Sequence, residues 1–313
     1  MGGPDSFRAV RPFLYNLFSD RMIIRLGPAP LQKPLALLIS SLRAGKARKM
    51  YAQIGGKSPL NELTSAQAKA LAASLKGEGD FKIHVGMRYW HPFISETLAE
   101  MKEQGIEKLM AVSLYPHYSL ATTGSSLEQL RKDLGRPGYK FECVLIREWP
   151  THPLYIEALA ETVRKGLKEF ERQRTKVPFV LFSAHGLPVK FVEQGDPYSG
   201  QIEATMRAVA EKVSLADYGL SYQSRTGPVE WLKPYTDEKI KELAARGTKN
   251  VLVVPISFVS DHIETLYEID ILYSELARRL GMNFKRTEAL NTHPLLIGAL
   301  KDLILNKKKE LGW

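Results

Sequence analysis

The sequence predicts an α/β fold built from βαβ units with parallel sheets, arranged as two similar Rossmann-like lobes. Three observations predict it. Short apolar runs rich in β-branched residues alternate with stretches of helical periodicity. The pattern repeats when the chain is shifted by 142 residues. The length, 313 residues, exceeds what a single core usually organises.

The apolar runs fall at residues 81–87, 108–114, 141–146, 178–184, 218–223 and 251–257, and each is short enough for one buried strand. Helical periodicity follows most of them, at 93–102, 154–171 and 263–280. This alternation argues for crossover units and hence for parallel sheets. Under the 142-residue shift Pro92 falls on Pro234, Gly105 on Gly247 and Tyr89 on Trp231. Leu98 and Met101 fall on Ile240 and Leu243, and strand 109–114 falls on 251–256. Duplication therefore predicts lobes at 1–150 and 151–290, divided near the Trp-Pro-Thr-His-Pro stretch, with 291–313 a C-terminal helix packing back on them. Ligands of α/β sheets sit beyond the carboxyl ends of strands, so two such lobes would make a cleft between those edges.

Composition narrows the function. A single cysteine, Cys143, can form no internal disulfide and cannot ligate an iron–sulfur cluster, so no cluster is expected. The opening MGGPDSFRAV lacks a basic-then-apolar leader, and no apolar run nears the roughly 20 residues that span a bilayer. The expected location is the cytoplasm. The net charge of +10 suits an acidic partner. The basic residues are scattered except at 43–49 and 307–309, and no nucleic-acid motif accompanies them, so nucleic acid is not the expected partner.

Four segments hold candidate chemistry. Strand 178–184 runs into Ser183-Ala184-His185-Gly186-Leu187-Pro188, which places His185 at a strand's carboxyl end. Imidazole there can take a proton or bind a metal, or it can be a loop histidine bonded to backbone. After strand 251–257, a helix starting near Asp261 would align Asp261, Glu264, Glu268 and Glu275 on one face. That stripe reads equally as a helix cap with a solvated face, or as carboxylates leading into a cleft. Residues 122–126, Thr-Thr-Gly-Ser-Ser, suit an anion at a helix start but fit an ordinary cap and turn better. Near the N-terminus Phe13, Leu14, Tyr15, Leu17 and Phe18 lie among Arg8, Arg11, Arg21 and Arg25. They form either a packed helix or an apolar lip edged with arginine.

Taken in order, these segments resemble the ferrochelatases. The likeness spans nearly the whole chain, through Gly2-Gly3-Pro4-Asp5, 16–21, 54–59, 87–92, 115–126, 183–188, 195–198 and 260–270. It implies the chelatase fold, two lobes that each hold a four-stranded parallel sheet flanked by helices, around a porphyrin cleft. It also implies a family strand just ahead of Gly2, which this sequence does not include. By resemblance, His185 and Glu264 face the ring as catalytic and metal-handling residues, and Asp261, His262 and Glu268 form an acidic helix that moves protons or metal. Leu14, Leu17, Phe18, Arg43, Tyr51, Arg88, Tyr89, Tyr115 and Trp231 match porphyrin-pocket positions.

The implied reaction inserts Fe²⁺ into protoporphyrin IX and releases two protons, with iron as substrate and no permanently bound cofactor. A flat porphyrin keeps two N–H groups inward, so a base and a bent ring are both required. Coproporphyrin III is the alternative substrate. More distant readings are a cobalt-inserting relative and a carrier that binds porphyrin or haem without turnover. The lip would permit peripheral contact with the inner membrane.

Overall fold

The computed structural model describes residues 1–313 and divides into two compact units, Met1–Glu148 with Leu300–Trp313, and Trp149–Ala299. Unit 1 carries α1 (Val10–Ser19), α2 (Gln32–Ala52), α3 (Leu60–Ser74), α4 (Ile94–Glu103), β1 (Lys108–Val112), α5 (Ser125–Leu134) and β2 (Glu142–Ile146). Unit 2 carries α6 (Pro153–Arg172), β3 (Phe179–His185), α7 (Val189–Glu193), α8 (Tyr198–Val213), β4 (Tyr218–Gln223), α9 (Thr236–Ala245), β5 (Asn250–Pro255), α10 (Ser274–Arg279) and β6 (Asn283–Arg286). The last helix, α11, covers Pro294–Leu311.

Unit 2 holds a four-stranded parallel sheet in the order β4-β3-β5-β6. Its central strands read as continuous apolar runs because helices cover both faces. Every residue of β5, and all of β3 except His185, is buried. One face packs Ile240 and Leu243 of α9 and Ala277 of α10 against Leu181 and Val253. On α6, Gly166 meets β5: a Cβ there would lie 2.8 Å from both methyl groups of Leu252, so a larger residue would require that side chain to shift.

In unit 1, β1 and β2 pair in parallel, from Lys108 with Glu142 to Val112 with Ile146. Leu98 and Met101 of α4 pack with Leu127 and Leu130 of α5 over this pair. The expected four-stranded sheet is here a two-stranded one. Residues 81–87 do not join a ladder and meet only an isolated bridge from Met87 to Phe93. The reason is pairing rather than propensity. A strand exists through its neighbours. In unit 2 the strand that precedes α9, β4, bonds to β3, and no segment of unit 1 pairs with residues 81–87 in that way.

The repeat is visible at the level of single hydrogen bonds. Shifted by 142 residues, α4 coincides with α9 end to end. Both helices stop at a left-handed glycine, Gly105 at φ 68° and Gly247 at φ 82°. Ile106 N–H returns to Met101 O, and Thr248 N–H to Leu243 O. Ahead of the helices the spacing differs by seven residues: Met87 N–H donates to Pro92 O, and Tyr222 N–H to Pro234 O, so the acceptors match under the shift and the donors do not.

Two segments are π-helical, Leu120–Gly124 and Glu264–Tyr273, each continuing into an α-helix. No helix is long and apolar enough to cross a membrane.

The core of unit 2 sets its stability. Leu252→Ala is expected to cost about 2–5 kcal/mol, read as a lower urea midpoint. An unchanged midpoint would contradict the α6–β5 packing described above.

Candidate active site

His185 is the last residue of β3, in register with Gln223 at the end of β4. Three elements lock its backbone. Its N–H donates to Ser257 Oγ at 2.8 Å, just past β5. Its carbonyl accepts from Tyr198 Oη at 3.0 Å, at the start of α8. The following N–H, of Gly186, donates to Gln223 O at 2.8 Å. Gly186 has no room for a side chain, since a Cβ would lie 2.8 Å from Gln223 O and 3.1 Å from the Trp231 ring. The imidazole is left 38% exposed.

Nδ1 of that imidazole lies 2.7 Å from Glu264 Oε2. A carboxylate only accepts, so Nδ1 carries the proton and Nε2 is left without a hydrogen bond. Burial pulls the His185 pKa down, but the charge and hydrogen bond of Glu264, helped by the charge of Glu268, outweigh it and raise it. Burial likewise opposes the Glu264 charge, yet His185 holds that carboxyl down at about 2. Glu268 behaves oppositely: burial, then the charge of Glu264, push its pKa up to about 7. Two carboxyl groups in one site are thus driven apart, one ionised and one able to hold a proton near neutrality. Burial lowers the His262 pKa, with Nδ1 3.1 Å from Ser260 O and Nε2 3.9 Å from Glu264 Oε1. The Phe258 ring stands edge-on to His262 at 4.4 Å and to His185 at 6.4 Å.

The acidic stripe is shorter than the sequence spacing suggests. Asp261 and His262 precede the helical segment and do not belong to it. Asp261 is tied down by Arg286, Asn291 and Thr265 at 3.0 Å each. Arg286 also grips Asp270 through a fork of 2.7 and 2.8 Å. Glu275 is bound by Arg278 and Arg279 at the surface. The physical reason is the π turn: with i→i+5 bonds the α-helical spacing that aligned four acids no longer applies. Glu264 and Glu268 remain together, joined by Ser224 Oγ at 3.0 and 2.6 Å. Gln223 Nε2 adds bonds of 3.0 Å to Glu264 O and Glu268 Oε2.

In unit 1 the expected pocket residues separate into two groups. Tyr89 is 1% exposed, and its hydroxyl is committed to Asp20 at 2.7 Å and Ser125 at 2.9 Å. It is a buried strut of this unit. Arg88 joins the same cluster, donating to Asp20 and Ser125 at 2.9 Å each, and Ser125 Oγ also donates to Asp20. Burial opposes the Asp20 charge, but these bonds and the Met22 N–H hold it below the usual carboxylate range. Tyr51 and Phe18 are buried too, with the Arg43 guanidinium 5.5 Å above the Phe18 ring. Leu14 and Leu17 are half-buried, and the Tyr115 hydroxyl accepts from the Met1 amine at 2.6 Å. In the 122–126 stretch, Thr122 Oγ1 bonds Ser119 O and Thr123 Oγ1 bonds Ser113, so these hydroxyls serve the turn. In unit 2, Trp231 bridges Pro188 and bonds Thr226 O at 3.0 Å.

Sequence reasoning missed Gln223, Ser224, Ser257, Tyr198 and Arg286. Gln223 ends a strand that was recognised, Ser224 follows it and Ser257 ends the 251–257 run, so the carboxyl-end rule reaches all three. Tyr198 and Arg286 act through the fold and left no local signal. It also missed the exposed leucines of α2. Leu38 is 55% and Leu42 74% exposed, with Leu37 beside them, whereas Phe13 and Phe18 of the supposed lip are buried. The 35–42 stretch carries more apolar residues than one buried face can use, which was a usable signal.

A family model described as Ferrochelatase matches residues 1–308. The chain is 53% identical over 311 residues to the ferrochelatase of Geotalea daltonii, covering 99% of this chain and 96% of that one. It is 52% identical over 305 residues to that of Geobacter metallireducens, covering 97% and 95%. With the ferrochelatase of Picosynechococcus it shares 48% over 321 residues, covering 99% and 81%. Among solved structures, SirB from Bacillus subtilis with Fe³⁺ superposes with TM-score 0.54 at 15% identity, over 78% of this chain and 90% of that one. DR2241 from Deinococcus radiodurans, described as similar to chelatases, gives 0.52 at 16%, over 77% and 50%. These structural likenesses speak to fold alone.

Two outcomes follow from the geometry. Gly186→Ala is expected to destabilise the chain by about 1–3 kcal/mol, measured by urea unfolding, because its methyl meets backbone. Glu268 keeps its proton to about 7 when folded, against 4.5 as its ordinary value. The folded state therefore binds more protons across that window, and stability falls as pH rises through it. Glu268→Gln removes this slope. Urea midpoints of the two proteins taken between about pH 5 and pH 7.5 should converge at the acid end and separate at neutrality, with the variant higher. Parallel curves would mean that Glu268 titrates as an ordinary carboxyl.

Proposed function

The chain belongs to the ferrochelatase family, and from that premise we propose that it inserts Fe²⁺ into protoporphyrin IX and releases two protons. The enzyme class, a metal-chelating lyase of haem synthesis, comes with the family. The ring is our own reading. It is supported by the forms of the 87–92 and 122–126 segments, which resemble the protoporphyrin type rather than the coproporphyrin III type.

The observation that carries the mechanism is the 2.7 Å contact between His185 and Glu264 at the end of β3. His185 Nε2 is the base that takes a pyrrole proton. Glu264 holds the ring in the tautomer that leaves Nε2 open and balances the imidazolium that forms. Glu268 accepts a proton and returns it to water near neutral pH. Fe²⁺ enters as substrate, with His185 nitrogen and Glu264 oxygen as its donors in this reading. Arg88, held by Asp20, offers positive charge to the porphyrin's carboxylates.

The exposed leucines of α2, flanked by Lys33, Arg43 and Lys46, support peripheral contact with an anionic membrane surface.

Anaerobic insertion of Fe²⁺ into protoporphyrin IX and coproporphyrin III, followed by absorbance, tests the reaction. Turnover with protoporphyrin IX is expected, and His185→Ala should lower it by roughly 10²–10⁴-fold while porphyrin still binds. Turnover with coproporphyrin III alone would correct the substrate. Tight binding with no turnover of either ring would make the protein a carrier. Co-sedimentation with anionic vesicles tests the surface: Leu38→Ser with Leu42→Ser should weaken it about tenfold or more, and equal sedimentation would remove the membrane from the proposal.

A further inference from the structure

Ser224 is among the few residues other than glycine with a positive φ, at 68°. Glycine adopts that left-handed backbone freely and serine does so only at a cost, so a turn alone would favour glycine here. What serine adds is a hydroxyl, and that hydroxyl lies 3.0 Å from Glu264 Oε2 and 2.6 Å from Glu268 Oε2. The neighbouring Gln223 completes the arrangement. Its Nε2 reaches Glu264 O and Glu268 Oε2, while its Oε1 accepts from Ser183 Oγ at 2.8 Å, inside the buried chain of hydroxyls formed by Ser183, Thr236 and Ser221. The end of β4 is thus anchored in the core on one side and holds both glutamates on the other.

We propose that Ser224 is a positioning residue for metal insertion, its hydroxyl spanning the Glu264 and Glu268 carboxyl groups so that Glu264 stays aimed at His185. The proposal rests on His185 and Glu264 as the reacting pair. Apart from His185, Ser224 is the one group within hydrogen-bond distance of Glu264 Oε2. His185 is the partner whose bonding changes during the reaction. Ser224 is chemically idle, so it can keep the long glutamate side chain in one rotamer while the imidazole gains and loses its proton. Positioning of this kind loses activity when the supporting bond is removed, even though no reacting atom has gone.

Ser224→Ala and Ser224→Gly separate this role from a structural one. Glycine keeps the left-handed turn without strain, so Ser224→Gly should melt no lower than the parent protein. Both variants are expected to lose kcat by roughly 10–100-fold, with KM for the porphyrin and porphyrin affinity by fluorescence quenching within about twofold. A merely structural role would instead leave Ser224→Gly with the parent kcat, or would raise KM together with a lowered kcat, and either result overturns the proposal. His185→Ala measured in parallel keeps the two questions apart. If it retains turnover, the reacting pair is misassigned and the proposal falls with it. If it loses turnover while Ser224→Gly does not, only the positioning role falls.

Discussion

An imidazole and a carboxylate held 2.7 Å apart, only partly in water, are a demanding feature to build into a fold. Bringing the two charges out of solvent is unfavourable unless geometry and further hydrogen bonds compensate. The surroundings of His185 supply that compensation. β3 delivers the residue on a fully buried strand, Ser257 and Tyr198 fix its peptide groups, and Gly186 lets the Trp231 ring close behind it. Glu264 receives a second donor from Ser224. Few of these contacts would be needed by a histidine that merely ended a strand.

The carboxylates differ because their neighbours differ. Asp261 and Asp270 share Arg286, so their charges are neutralised where they stand. Glu264 faces His185, and Glu268 faces mainly Glu264. Four acids close in sequence therefore become a paired set and a reactive set. Arg286 of β6 divides them, since it binds Asp261 ahead of the π-helical stretch and Asp270 within those π turns. Such turns are uncommon and recur at functional sites.

Unit 1 is organised around a different charge. The Asp20 carboxylate gathers Tyr89, Ser125, Arg88 and the Met22 amide, and so ties the end of α1 to the 87–90 segment and the start of α5. Residues that resemblance assigned to a pocket wall thus serve two purposes. Tyr89 is internal scaffolding, while Arg88 keeps part of its guanidinium accessible. Exposed leucines stand on α2, as Leu37, Leu38 and Leu42, and none on α1.

The sequence alone determined what local patterns can encode. Periodicity marked β1 to β5 and helices α4 and α6 but not α2, α3 or α8, and the 142-residue repeat foretold helices α4 and α9 that agree to the residue. His185 at a strand's end and the acids after β5 were legible because their positions follow from a strand boundary. The tertiary structure decided what depends on partners distant in the chain. It withheld a ladder from residues 81–87, since a strand is defined by its neighbours. It split the acid stripe, since Arg286 comes from β6 and the π turn arises within the packed helix. It turned Tyr89 inward and α2 leucines outward, since burial is a property of the assembled core. It also placed Ser224 between two carboxyl groups 40 and 44 residues further along the chain. No pattern within a window of sequence carries that information, because the hydrogen bonds form only after the strands have brought their carboxyl ends together.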